Sequence, residues 1–180
     1  MIFLGCAMLG VFSINAQGAF KVGANIGLPL SSTSEAASLN VGVDVAYLYE
    51  IIDNLEIGGL IGYVQFFADG EYIFVTNSGN IIMTDYKDAS FVPISSTARY
   101  YFSEGKFFGG LDLGFAINVS GDADSGLFFR PKFGFIIGPV AIVGSYQGIS
   151  GGAIYNSNLN SNLATVSGFN SVNVGVEFGF

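Results

Sequence analysis

Apolar and polar residues alternate along most of the chain. In the closing stretch "VNVGVEFGF", every second residue from Val172 to Phe180 is apolar, and Glu177 lies on the other face. Sustained alternation of this kind is typical of a β-strand with two different faces. It predicts eight strands of 10 to 13 residues: Ala19–Leu28, Leu39–Glu50, Leu55–Phe67, Ser90–Phe102, Phe107–Asn118, Leu127–Ile137, Val140–Ile149 and Gly168–Phe180.

The two faces of these predicted strands differ in chemistry. One face is apolar, and all nine charged residues within the strands lie on the other: Lys21, Asp44, Glu50, Glu56, Arg99, Asp112, Arg130, Lys132 and Glu177. A charge that faces lipid near the midplane costs about 2–4 kcal/mol, whereas a charge that faces a lumen can find a partner. The pattern therefore predicts an apolar outside and a charged inside.

The predicted interior is narrow. An eight-stranded barrel is barely wide enough for its own side chains, and a buried charge without a partner costs several kcal/mol. We therefore expect the nine charges to form a network that plugs the lumen. Arg99 is the residue expected to hold it together, with Asp112 and Glu56 on neighbouring strands as its candidate partners.

The connections alternate in length. Those after the second, fourth and sixth strands are short, and the other four are longer. This regular sorting is the signature of an outer-membrane barrel, and ten tilted residues climb about 25 Å, the height of its apolar band. The sequence predicts an all-β, eight-stranded antiparallel up-and-down transmembrane β-barrel, integral to the outer membrane of a Gram-negative bacterium.

Two details qualify this prediction. In the second long connection, "EYIFVT" and "IIMTDY" flank "NSGN", which predicts a hairpin that extends the third and fourth strands beyond the membrane. The alternative is a barrel of ten strands. Pro93 and Pro131 fall inside strands, where each removes one donor from the ladder, so we expect β-bulges there.

Composition supports a membrane protein with a secretory leader. The 180 residues are 51% hydrophobic and 11% charged, against roughly 25% charged in an ordinary soluble domain. Residues 1–17 read as a signal peptide, although no Lys or Arg precedes the apolar core, and residues 18–180 as the barrel domain. The alternative for residues 1–17 is a first buried strand. The only cysteine, Cys6, falls in this leader.

Candidate chemistry is sparse. The chain has no histidine, so no Ser–His or Cys–His pair can form, and we predict no enzymatic activity and no cofactor. "GDADSG" places Asp122 and Asp124 two residues apart, which makes them weak metal candidates. Calcium needs six to eight oxygen ligands, and turn chemistry explains the same residues. The long connections carry seven acidic residues and one lysine, which argues against a nucleic-acid partner.

Several segments resemble known outer-membrane proteins. The last strand resembles the C-terminal strand of outer-membrane β-barrels in general. "FVPISSTARYYF" (Phe91 to Phe102), "GGLDLGF" and "FRPKFGF" resemble strands of the small outer-membrane β-barrel domain family common in Bacteroidota, which includes PorT-like proteins of OmpA/OmpX-like architecture. The resemblance covers residues 19–180. It implies delivery by periplasmic chaperones and recognition by the barrel-assembly machinery through Val172, Val174, Val176, Phe178 and Phe180.

Three functions remain open at this stage. The first is a structural and surface-interaction role, in which the barrel sits among outer-membrane lipid and lipopolysaccharide and displays its loops to a surface protein or glycan. The second is a narrow pore for ions or small solutes. The third is a soluble lipocalin-like barrel that binds an apolar ligand, with the two faces turned inside out.

Overall fold

A computed structural model of the protein describes residues 18–69, 71–75, 81–85, 87–155 and 164–180. The predicted signal peptide, residues 1–17, lies outside them. The described residues form one short 3-10 helix, η1 (Ser31–Glu35), and twelve strands: β1 (Gly18–Leu30), β2 (Ala37–Ile52), β3 (Leu55–Ala68), β4 (Glu71–Val75), β5 (Ile81–Asp85), β6 (Ala89–Phe102), β7 (Phe107–Ser120), β8 (Gly126–Ile137), β9 (Val140–Ile149), β10 (Ala153–Tyr155), β11 (Ala164–Val166) and β12 (Phe169–Gly179).

Eight of the strands close into one antiparallel barrel. Around the ring their order is β1, β12, β9, β8, β7, β6, β3 and β2, and β2 pairs with β1 to complete it. The eight predicted strands are confirmed, and their ends agree with the structure to within two residues. Each strand pairs with its neighbours in sequence, except where β4–β5 and β10–β11 intervene. No helix in the described part of the chain is long and apolar enough to cross a membrane.

The second long connection contains a hairpin, as predicted, but the hairpin is separate from the barrel. β4 and β5 pair as a two-stranded sheet of their own, so the ten-strand alternative is wrong, and so is the extension of the barrel strands. The reason lies at the rim, where the Asp88 carboxylate accepts hydrogen bonds from the Ala68 amide (2.8 Å) and Gln65 Nε2 (3.1 Å). These contacts end the β3–β6 ladder. The predicted "NSGN" tip lies outside the described residues.

The exterior of the barrel is apolar and its interior is not. Successive outward residues of β12, such as Val174 and Val176, are each 55% exposed, whereas Glu177 between them and Phe178 is only 8% exposed. Near the short turns the outward aromatics contact one another, as in the stacked Phe102 and Phe107 rings, whose centroids are 6.0 Å apart. A soluble lipocalin-like barrel needs the opposite arrangement, so that alternative is wrong.

The two prolines interrupt hydrogen bonding without a bulge. The β3–β6 ladder stops on either side of Pro93, and the β8–β9 ladder on either side of Pro131, and in each case the register continues unchanged. The predicted bulges at these positions are therefore wrong. Each proline lacks one backbone donor, and this leaves a gap in only one of its two ladders. On the other side of the strand, pairing continues through Pro93 opposite Ala116 and through Pro131 opposite Leu111. Register shifts occur at the strand ends instead, for example between Ser90 and Phe91.

Candidate functional site: the lumen

Two ion pairs cross the lumen between opposite strands. Arg99 of β6 contacts Glu177 of β12 through both terminal guanidinium nitrogens, and Nη2 lies 2.6 Å from Oε2. β6 and β12 are four strands apart in either direction around the ring of eight. The predicted partners of Arg99, Asp112 and Glu56, are therefore wrong. The long arginine side chain reaches the opposite wall of the barrel, whereas the prediction took its partners from neighbouring strands only.

The second crossing joins β8 to β2, which are also opposite in the ring. Arg130 donates to Asp44 on the far wall (Nη1–Oδ2, 2.9 Å) and to Asp112 on the adjacent strand (Nε–Oδ2, 2.8 Å). Lys132 reaches the other oxygen of Asp112 at 2.7 Å. These four side chains are buried, and Asp112 is fully so. Together the two crossings bury three cations and three carboxylates, so this part of the lumen is neutral.

Three predicted members of the network lie nearer the short turns. Glu56 accepts a hydrogen bond from the Tyr101 hydroxyl at 2.6 Å. Glu50 is exposed and accepts from the Asn54 amide at 3.1 Å, so it caps the turn between β2 and β3 and does not belong to the lumen network as predicted. Lys21 is half-buried and makes no ion pair among the described residues.

A layer of uncharged amides lies further toward the long loops. Asn40 Nδ2 donates to Asn173 Oδ1 at 2.7 Å, and Asn173 in turn contacts Ser171. The two asparagines are on β2 and β12, and the β1 residue between them in both ladders is Gly27. A Cβ at Gly27 would collide with Asn173 Oδ1 and come within 2.6 Å of Asn40 Oδ1. Glycine at this position therefore lets the amides meet across β1.

The long-loop end of the lumen is filled by aromatic rings. Inward-facing phenylalanines from four strands are each at most 3% exposed: Phe66, Phe91, Phe128 and Phe169. Phe169 contacts both Phe66 and Phe91, with ring centroids 5.1 Å and 4.9 Å apart. Ile149 and several alanines complete this buried cluster, which we call the aromatic septum. The strand pattern contained the signal for it, because all four rings lie on the same face as the charges.

Helix η1 is fixed over the septum by the side chain of Thr33, with a further contact from Ser32 to Ser167. Thr33 is fully buried; its hydroxyl donates to the Gly168 carbonyl at 2.8 Å and accepts from the Asn170 amide at 2.9 Å. These bonds tie the first long loop to the start of β12. Ala36 and Ala37, which follow the helix, pack into the septum. The first loop thus covers the mouth of the barrel.

The weak metal candidates are not gathered into a site. Asp122 pairs with Lys87 (2.9 Å), and both side chains are more than half exposed. The backbone amide of Asp124 donates to the Gly152 carbonyl at 2.8 Å. Within the described ranges, no three Asp, Glu, His or Cys side chains lie close enough to hold a metal ion.

The five residues of the predicted assembly signal all lie on the outward face of the closing strand and its end. Val172, Val174, Val176, Phe178 and Phe180 are each 42–56% exposed. The backbone amides and carbonyls of Phe20 and Phe180 bond to each other at 3.2 Å and 3.0 Å, which seals the seam where the last strand meets the first.

Comparison with known proteins gives a fold and no family. No family model matches the chain, and no curated protein is similar to it. Among solved structures it resembles the outer membrane protein OprG from Pseudomonas aeruginosa, with a TM-score of 0.56 and 13% identity over 92% of this chain and 96% of that one. Neisserial surface protein A (NspA) is similar at a TM-score of 0.48 and 12% identity, over 92% and 98%. The closed barrel and its likeness to OprG show that the chain has the fold of an outer-membrane β-barrel.

Proposed function

We propose that the protein is an integral outer-membrane barrel of a Gram-negative bacterium that is closed to solutes and displays its long loops at the cell surface. The observation that carries the proposal is that buried side chains occupy the lumen at two levels. Two ion pairs join opposite walls, and the aromatic septum fills the long-loop end. The apolar exterior fits a lipid environment that includes lipopolysaccharide.

Each closure opposes conduction for its own reason. A hydrated ion that crosses the charged layer has to separate Arg99 from Glu177 or Arg130 from Asp44. Either separation leaves buried charges without partners, which costs several kcal/mol. The septum adds an apolar layer in which an ion loses its water and finds no polar group in return.

The connections beyond the septum are the part available for recognition. Two of them contain small two-stranded sheets, β4–β5 and β10–β11, that are separate from the barrel. Rigid scaffolds commonly carry their binding residues on such loops. We propose a surface protein or glycan as the partner. Replacing residues 68–89 with a tight turn should abolish that binding, and intact binding to whole cells would contradict this assignment.

The closing strand supports a route to the membrane. Its outward face of alternating apolar residues ends at Phe180, and such a strand is a hazard for aggregation until it is paired. We propose that periplasmic chaperones deliver the chain and that the barrel-assembly machinery recognises this strand. Membership of the PorT-like Bacteroidota family stays a prediction, supported by the segments that resemble it.

A non-enzymatic role fits the lumen. A nucleophile or general base needs an activated partner, and this chain has no histidine to provide one. The buried Asp44, Asp112 and Glu177 are held by arginine or lysine, which is the arrangement of a structural network. We therefore propose no catalytic activity.

Planar-bilayer recording tests the closed lumen directly. The wild-type protein should give no conductance steps, whereas a Phe66→Ala/Phe91→Ala/Phe169→Ala variant, in which only the charged layer still opposes conduction, should give small ones. The matched control is Phe102→Ala/Phe107→Ala/Phe133→Ala, which removes three contacting rings from the outside. On a cold SDS gel, an unboiled band that runs faster than the boiled one establishes that each variant is folded. Steps from the wild-type barrel would overturn the proposal in favour of a narrow pore.

A further inference from the structure

The short-turn end of the lumen, unlike the long-loop end, contains an open cavity. Its volume is about 210 Å³, and its polar lining consists of Lys21, Arg99, Tyr101 and Glu177. Apolar groups form the remaining wall, among them Phe108 and the outermost residue, Phe180. The lining of the cavity therefore contains both charged and apolar groups.

The two cations that line this cavity differ in their partners, and only Lys21 is available to a ligand. Arg99 is 1% exposed, and its Nε finds no hydrogen-bond partner although both terminal nitrogens contact Glu177. Lys21 forms no ion pair in the described part of the chain. Its Nζ lies beside Gly179, where an added Cβ would come within 3.0 Å of the ammonium. Glycine thus leaves the space in which the Lys21 ammonium sits.

The carboxylates near the cavity are already engaged. Glu177 is held by Arg99, and Glu56 accepts the Tyr101 hydroxyl hydrogen at 2.6 Å. The side chains that line the cavity carry two positive charges and one negative charge. A cationic ligand would meet Lys21 without a free carboxylate to offset it. An anionic ligand would meet the Lys21 ammonium, which pairs with no carboxylate of the described residues.

From this arrangement we infer that the short-turn mouth is a binding site for a small carboxylate with an apolar body. The carboxylate binds the Lys21 ammonium, and the apolar body packs against the wall that includes Phe108. A charge-assisted hydrogen bond of this kind is about twice as strong as a neutral one. The site is independent of the closed lumen, because it lies on the short-turn side of the Arg99–Glu177 pair.

The inference can be tested with three water-soluble probes of equal shape and different charge. Phenylacetate, phenylacetamide and phenethylamine are titrated against the full barrel in detergent micelles, and amide chemical shifts of β1 and β12 report binding. Phenylacetate should bind at least about tenfold more tightly than the other two, the ratio expected from one hydrogen bond to a charged group. Equal binding of the neutral amide, or tighter binding of the amine, overturns the inference.

Variants separate the site from general charge effects. Lys21→Met keeps the length and apolar stem of the side chain and should weaken phenylacetate binding at least about tenfold. Lys106→Met removes the same charge from an exposed turn at the same end of the barrel and should leave binding unchanged. Ala19→Phe fills the cavity without a change of charge and should also abolish binding. Wild-type affinity in Lys21→Met, or equal losses in Lys21→Met and Lys106→Met, sinks the inference.

Discussion

The two ends of the lumen hold opposite chemistries, although the same inward-facing strand positions supply both. Along β6 the inward residues run from Phe91, in the aromatic septum, to Arg99, in a cross-lumen ion pair. The septum fills its end and is covered by η1, whereas the charged end keeps a cavity of about 210 Å³. Alternation along a strand therefore determines whether a residue faces the lumen or the lipid. The height of the residue along the barrel axis determines whether an inward-facing side chain is aromatic or charged.

The two layers also contact each other. The guanidinium of Arg130, in the charged layer, lies 5.6 Å from the centroid of Phe128, in the aromatic septum. A cation over an aromatic face gains about 0.5–2 kcal/mol, more where water is excluded. Arg130 thus contacts both layers, and this explains how the charged layer can adjoin the apolar one without an unpaired charge at the boundary.

The largest effect should follow from removing Asp112, because one carboxylate serves two cations. Asp112→Ala leaves Lys132 without a carboxylate partner and Arg130 with Asp44 alone. We expect the free energy of unfolding to fall by at least about 3–5 kcal/mol, the cost of orphaning a buried charge. Urea titration in micelles, followed by far-UV circular dichroism, measures this without tryptophan, which the chain lacks.

The control for this variant is Glu50→Ala. Glu50 was predicted to share the network, but it is exposed and caps a turn. Its removal should change the free energy of unfolding by less than about 1 kcal/mol. Equal losses from Asp112→Ala and Glu50→Ala would show that the charged layer is not the part of the lumen that stabilises the barrel.

The sequence predicted correctly that Asp112 belongs to the buried network and wrongly that Glu50 does, and the difference has a physical reason. The period-2 pattern predicted the strands, their number and the inward face of every buried charge, because each face meets a different medium. It could not pair Arg99 with Glu177, because the partner lies on the opposite wall and is 78 residues away in the chain. Pairing of this kind depends on barrel closure and on side-chain reach. Glu50 was misplaced because alternation continues past the rim, where inward-facing positions meet water.

The aromatic septum was missed although its residues were visible. Its four rings lie on the same strand face as the charged residues, and each is near the end of a predicted strand that adjoins a long connection: Phe66, Phe91, Phe128 and Phe169. The charged residues on the inward face predict a polar lumen along its whole length, and this prediction overlooks the rings on the same face. Four rings at one depth become evident only after the strands are aligned by height, which the loop alternation already allowed.

The second largest effect should come from the septum. Phe91→Ala removes a fully buried ring that contacts Phe66 and Phe169. We expect a loss of about 3–5 kcal/mol in the free energy of unfolding, the range for a buried Phe→Ala change. Phe102→Ala, on the outside and 38% exposed, is the matched control and should cost less. A larger loss at Phe102 would mean that the lipid-facing girdle, and not the septum, stabilises this barrel.

A smaller effect is expected at the amide layer between the two ends. Gly27→Ala places a methyl group against Asn173 and Asn40, and overpacking of this kind costs about 1–3 kcal/mol. Gly59→Ala is the control, because its Cβ would meet nothing within 4 Å. The double variant Gly27→Ala/Asn173→Ala should recover part of the loss. Without that recovery, the steric reason given for Gly27 fails.

The smallest effect belongs to an ion pair that lies outside both layers. Asp122→Asn breaks the contact with Lys87, whose side chain is 65% exposed. An exposed pair contributes about 0–1 kcal/mol, so the unfolding midpoint should barely move, and added calcium should not shift it in either protein. A calcium-dependent shift that disappears in the variant would restore Asp122 as a metal ligand. If no such shift occurs, this exposed pair is the reference for the loss in Asp112→Ala. Asp122→Asn removes a carboxylate from one exposed cation, and Asp112→Ala removes one from two buried cations, so the difference between the two losses measures what burial and the second cation add.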